Sequence, residues 1–139
     1  AHDIAQMRHS YPTPRPGADF GPHVFLPRAV IDYAVTRRTT LAAFSPLING
    51  SLTRPDRELP QGYRHAGTVR ELAALNEVAR RRGATANQVV LAWMLGGEPA
   101  IVPVLGVSKV TQLDEALDAL DLVLDVDDWQ TLSAARAVD

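Results

Sequence analysis

From residue 28 onward, short unbroken apolar runs alternate with longer stretches in which apolar side chains recur every three or four residues. The first helical stretch opens at Pro27, whose fixed φ suits a first turn, and carries Ala29, Val30, Tyr33 and Ala34 as far as about Arg38. Thr40-Leu-Ala-Ala-Phe-Ser45 reads as a buried strand stopped by Pro46. Two helices follow, each opened by a capping-box pattern. Thr68-Val-Arg-Glu71 starts one with Val69, Leu72, Leu75, Val78 and Ala79 on a single face, closed by Arg80-Arg-Arg82 and Gly83. Thr85-Ala-Asn-Gln88 starts a shorter, mostly apolar one through Leu95, ended by Gly96, Gly97 and Pro99. Residues 100–105 form a second buried strand, and helices are expected over 108–120 and from Asp125 through Trp129 and Leu132.

Residues before Pro27 differ in character. Asp3-Ile-Ala-Gln-Met7 fits a short strand, and residues 8–27, with Pro12, Pro14, Pro16, Pro22 and Pro27, form a long loop in which neither helix nor central strand persists. Residues 46–67 form a second loop, broken by Gly50, Pro55, Pro60, Gly62 and Gly67. Strands alternating with helices at these spacings require parallel pairing by crossovers, so the class is α/β. Three strands are few for helices this apolar, and further strands must come from elsewhere.

Composition narrows the function classes. The chain of 139 residues is 46% hydrophobic and 22% charged, a globular balance, and its net charge of −2 argues against nucleic acid or an acidic membrane as a partner held by bulk electrostatics. With no cysteine, disulfides and thiolate metal sites are excluded. The four histidines, at 2, 9, 23 and 65, have no ligand spacing, so no metal is expected. No apolar run approaches the ~20 residues of a membrane span, and the first residues lack a signal-peptide pattern, which makes a cytoplasmic location the default expectation.

Candidate chemistry concentrates in Val102-Pro-Val-Leu-Gly-Val-Ser-Lys109, an apolar strand that passes through Gly106 into a helix start. Glycine lets backbone approach a ligand closely, and the free amides and dipole of the next helix favour an anion such as phosphate. Lys109, the only lysine, adds formal charge. Ser108 as an ordinary helix N-cap is the competing reading.

Three separated segments together resemble the C-terminal half of the aldo/keto reductases, (β/α)8 barrels that bind NADPH. Ala42-Ala-Phe-Ser-Pro-Leu47 with Gly50-Ser-Leu52 resembles the seventh strand and cofactor loop. Residues 72–95 resemble the following helical pair, including the pattern Ala-Thr-x-x-Gln-Val-x-Leu-Ala-Trp in residues 84–93, and residues 102–117 resemble the eighth strand and its adenosine-phosphate loop. The resemblance implies an α/β fold that is the C-terminal portion of a (β/α)8 TIM barrel, about strands 6 to 8 with their helices. It spans 1–139 as one partial barrel, with a Pro-rich loop at 8–27, a cofactor-side loop at 46–67 and a C-terminal helix at 126–139.

The resemblance also implies roles. Phe44 would lie against the nicotinamide ring, Gln6 would hold its carboxamide, and Ser45 and Leu47 would bracket pyrophosphate or ribose. Arg54 would pair with a phosphate, whose geometry guanidinium suits. Ser108, Lys109 and Gln112, after Gly106, would surround the adenosine 2′-phosphate, with Glu115 at the adenine or its ribose. Each has a plainer alternative: Phe44 as core, and Gln112 and Glu115 as a solvated helix face. His9 and Tyr11 look like an acid pair but fall in the Pro-rich loop. The family's Asp, Tyr, Lys and His tetrad comes from the first four strands, to which nothing here corresponds. Ala116 stands where the family has an adenine-binding Asn, Val107 where a small or hydroxyl residue is frequent, and Phe44 where Tyr or Trp is common.

A barrel of this kind needs ~250 residues. The chain is therefore expected to be a fragment, to pair with a separate N-terminal half, or to dimerise over its open sheet edges, and the start at a strand without Met favours the fragment. The implied function is that of the NADP(H)-binding part of an oxidoreductase acting on a small carbonyl substrate. A non-catalytic nucleotide-sensing or partner-binding module is the second reading. Residues 75–89 also have a helix-turn-helix rhythm, but the second helix lacks any Lys or Arg.

Overall fold

The structure is a computed structural model that describes residues 3–21 and 23–136. Three strands, β1 (Ile4–Arg8), β2 (Thr40–Phe44) and β3 (Ile101–Val104), form a parallel sheet in chain order. β1 and β2 are joined by the helix α1 (Arg28–Arg37), and β2 and β3 by α2 (Thr68–Arg82) and α3 (Ala86–Leu95). After β3 come α4 (Val110–Asp118), a 3₁₀ turn at Ala119–Asp121 and α5 (Val126–Arg136). The expected α/β alternation and all five helices are present. Arg8 belongs to β1 rather than to the Pro-rich loop, which is tied back by a bridge from Arg8 to Phe25. Pro22 and the last three residues of the expected C-terminal helix lie outside the described residues.

Local hydrogen bonding explains where the elements start and stop. The Thr85 box is formed: the Thr85 hydroxyl accepts from the Gln88 amide, and the Gln88 side chain accepts from the Thr85 amide. Gly83 closes α2 in the left-handed conformation at φ 61°. The Thr68 box is not formed. Gly67 is the N-cap, Thr68 donates to the Tyr63 carbonyl, and Glu71 accepts the Thr13 amide at 2.6 Å. Glu71 therefore faces inward beside Ala74, Leu75, Val78 and Ala79, while Val69, expected on the buried face, is 77% exposed.

Register fixes the two faces of the sheet. In parallel pairing, residues opposite one another share a face: Gln6 with Ala42 and Val102, and Arg8 with Phe44 and Val104. The alternate set, Ala5, Met7, Leu41, Ala43 and Ile101, meets the helices, where Leu75, Val78, Val89, Val90 and Met94 complete the core. β3 was expected to be buried, yet Val102 and Val104 are about half exposed, because the helices cover only one face. α5 is fastened to α2 through Asp128, a fully buried carboxylate that accepts from Arg81 at 3.0 Å and Arg82 at 2.6 Å.

Candidate functional site

At the C-terminal ends of β2 and β3 lies a groove of about 680 Å3. One wall is the chain leaving β2, from Ser45 to Gly50; the other is the turn Gly106 to Ser108 with Thr111, Gln112, Glu115 and Ala116. Thr53, Arg54 and Arg57 contribute from the loop after β2, and Asn87 from the first turn of α3. The first wall has an unusual backbone: Ser45, Ile48 and Asn49 have φ of 54°, 51° and 55°, followed by Gly50 at 77°. For Ile48, β-branched and buried, this region is strained, and such strain persists only where surrounding structure imposes it, often at ligand sites.

Asn87 holds the groove together. Its amide donates to the Thr53 hydroxyl at 3.2 Å and to the Glu115 carboxylate at 3.0 Å, so one buried side chain ties the β2 loop, α3 and α4. Its carbonyl oxygen is buried with no partner among the described residues. Gln88 adds a bond from its amide to the Glu115 carbonyl.

Of the ten residues expected at a cofactor, seven line this groove: Ser45, Leu47, Arg54, Gly106, Ser108, Gln112 and Glu115. Lys109 is the exposed N-cap of α4, one residue beyond Ser108, so it sits at the rim rather than in the first helical turn. Phe44 flanks the groove through its register partner Val104. Gln6 lies farther off, on the open face of β1. Several assignments change in detail. Gln112 accepts from the amides of Ser108 at 2.8 Å and Lys109 at 3.2 Å, so its side chain caps the helix and consumes two donors otherwise open to an anion. Arg54 is paired with Asp56 at 2.7 Å, whose carboxyl that hydrogen bond holds below its usual range. Gly106 has nothing within 4 Å of an added Cβ, so its lack of a side chain leaves open space in the groove.

Arg57, Thr53 and Asn87 line the groove without having been among the residues expected at a cofactor. Arg57 makes no ion pair among the described residues and faces the groove, which makes it the freer of the two loop cations. A second arginine three residues after Arg54 was the available signal; for Asn87, in the middle of a capping box, there was none.

On the open sheet face, Arg8 stands beside Phe44, with its guanidinium 4.7 Å from the centre of the Phe20 ring and 5.6 Å from that of Phe44. His23 meets Phe44 edge-on at 4.9 Å. His9 and Tyr11 lie away from the groove, against the helices. His9 is 5% exposed and stacked on Trp93 at 5.3 Å, and its pKa is lowered to about 4 by burial and by the Arg136 cation. Burial likewise pushes the Tyr11 phenol far up, and its hydroxyl donates to the Leu132 carbonyl at 2.9 Å. These are packing roles. The second helix of the helix-turn-helix rhythm, α3, is mostly buried and has no face free for a nucleic-acid groove.

The aldo/keto reductase family model matches residues 25–137. The chain belongs to the aldo/keto reductase family. A 6-dehydroglucose reductase of Agrobacterium fabrum is 33% identical over 97 residues, 70% of this chain and 29% of that protein. Aldo-keto reductase str7 of Strobilurus tenacellus is 28% identical over 110 residues, 69% of this chain and 33% of its own length. The chain thus spans about a third of the curated aldo/keto reductases it matches. Among solved structures, a thermostable aldo-keto reductase, Tm1743, with the inhibitor epalrestat superposes at a TM-score of 0.59 with 25% identity, over 77% of this chain and 33% of that one. A Gox0644 variant in complex with NADPH superposes at 0.60 with 20% identity, over 96% of this chain and 38% of that one, a likeness of fold. Among the described residues no helix is long and apolar enough to cross a membrane.

Proposed function

We propose that this chain is the NADP(H)-binding portion of an aldo/keto reductase-type oxidoreductase, with β1, β2 and β3 as the sixth to eighth strands of a (β/α)8 barrel. The groove between residues 45–57 and 106–116 carries the reading. It lies within the family-matched residues, at the C-terminal strand ends where barrel enzymes bind ligands. Its donor set suits a nucleotide. Arg57 offers a guanidinium fork to phosphate, Arg54 adds a second cation whose fork Asp56 occupies, Lys109 offers a point charge at the rim, and the orphaned Asn87 carbonyl can accept from a ribose hydroxyl or an amino group.

In this reading Ser45 and Leu47 bracket the ribose or pyrophosphate, Ser108 and Lys109 take the 2′-phosphate, and Gln112 and Asn87 hold the turn and Glu115 in place. Phe44 and Gln6 stand toward the nicotinamide. The cofactor, when bound, supplies a hydride to an aldehyde or ketone. The proton donor belongs to strands outside this chain, so activity needs the preceding part of the barrel or another copy over the open face of Ile4, Val102 and Val104. A nucleotide-sensing module is the second reading, distinguished by binding without turnover. The test is a fluorescence titration with NADPH and NADH. Lys109→Ala is expected to weaken NADPH far more than NADH; equal losses would remove the 2′-phosphate assignment.

A further inference from the structure

We propose that Asn87 reads the adenine base of the cofactor, its side-chain carbonyl accepting from the exocyclic amino group, so that a dinucleotide carrying a 6-oxo purine is rejected. The inference rests on the cofactor reading of the groove and adds a specificity-determining residue to it. Asn87 lies in the first turn of α3, is 8% exposed and lines the groove together with Glu115 and Ala116. The loop after β2, α3 and α4 meet there and border about 680 Å3 of space, which gives a ligand room beside this side chain.

The orientation of the amide is fixed by its partners. Nδ2 is 3.0 Å from a Glu115 carboxylate oxygen, which can only accept, and 3.2 Å from the Thr53 hydroxyl. Both amide hydrogens are thereby spent. Turning the amide over would set its carbonyl against the carboxylate, so Oδ1 stands as a buried acceptor with no partner among the described residues. Buried polar groups are ordinarily hydrogen-bonded, and what fits this one is a donor. An amino group suits it better than a hydroxyl. The second carboxylate oxygen of Glu115 also makes no hydrogen bond among the described residues, and two neighbouring acceptors match the two hydrogens of an amino group, where a ribose hydroxyl brings one. A 6-oxo group would instead turn a further acceptor onto them and leave all of them unsatisfied. The rest of the groove points the same way. Arg57 on the loop and Lys109 at the rim suit phosphates, so the uncharged base is the part of the nucleotide left for the buried end. The Gln112 carbonyl is taken by the amides of Ser108 and Lys109, and Ala116 offers only a methyl, which leaves Asn87 as the buried amide acceptor.

The test is a fluorescence titration of the 139-residue chain with NADPH and with its hypoxanthine counterpart, which has the same charge and a 6-oxo group in place of the amino group. The counterpart is expected to bind about tenfold or more weakly. Asn87→Ala is expected to weaken NADPH and narrow that gap to less than about threefold, whereas an asparagine that only braced the groove would weaken both ligands alike. Thr53→Val removes one bracing bond, leaves Oδ1 in place and is expected to keep the gap. Should the Ala variant fail to fold, the Asn87 side-chain amide resonances of the 15N-labelled parent carry the test, and they are expected to shift saturably with NADPH. Equal affinities of the parent for the two dinucleotides, a gap that survives Asn87→Ala, or Asn87 resonances unmoved at saturating NADPH would overturn the adenine assignment alone. Failure of both dinucleotides to bind would overturn the cofactor reading and this proposal with it.

Discussion

His9→Phe should change how stability depends on pH while leaving the sandwich intact. His9 is 5% exposed, stacked on Trp93 at 5.3 Å and 17° and tilted against Phe25 at 5.3 Å, with Nδ1 unpartnered among the described residues. Charging it would place a second cation near Arg136 among aromatic rings, which is why its folded pKa falls from the ordinary 6.5 to about 4. The unfolded chain takes up the proton first. Between those two values it binds more protons than the folded state, so stability is full above pH 6.5 and is lost as pH falls toward 4. At 1.36 kcal/mol per unit, the loss attributable to His9 between pH 7 and pH 4 is about 3 kcal/mol. Phe keeps a flat ring between Phe25 and Trp93 and has no proton to take up. Urea unfolding of both proteins at pH 7, 5.5 and 4 isolates the effect, because contributions from other groups, including buried Glu71 whose raised pKa acts in the opposite sense, are common to both and cancel in the difference. The parent is expected to lose about 3 kcal/mol more than His9→Phe over this range. Parallel curves within about 0.5 kcal/mol would refute the reasoning.

Two further substitutions bear on the groove. Gly106→Val has open space for its side chain and is expected to shift stability by less than about 0.5 kcal/mol, yet to cost at least tenfold in NADPH affinity measured by fluorescence; unchanged affinity would show that no ligand approaches that backbone. Asn87→Ala removes the bonds to Thr53 and Glu115 and is expected to destabilise by about 1–2 kcal/mol in urea unfolding and to weaken NADPH, whereas a neutral effect on both would remove Asn87 as the brace of the groove.

Features set by near neighbours were legible in the sequence. The Thr85 capping box and the Gly83 stop depend on residues within one turn, and both are found where the pattern puts them. The Thr68 box failed because Tyr63 and Thr13 compete for the same side chains, and Thr13 is 58 residues from Glu71. The apolar run of β3 suggested burial, but hydropathy cannot report that one sheet face has no cover among the described residues. In the groove, the β3–α4 segment announces itself by glycine, serine and the single lysine. Asn87 and Arg57 owe their place to the crossing of the β2 loop, α3 and α4, which no local pattern encodes.

Hydrogen exchange of the chain with and without NADPH tests the central claim most directly, since it reports both binding and place. Amide protection confined to residues 45–57 and 106–116, with NADH giving less at 106–112, is the expected result. No protection at saturating NADPH, or protection only outside these two segments, would contradict the account.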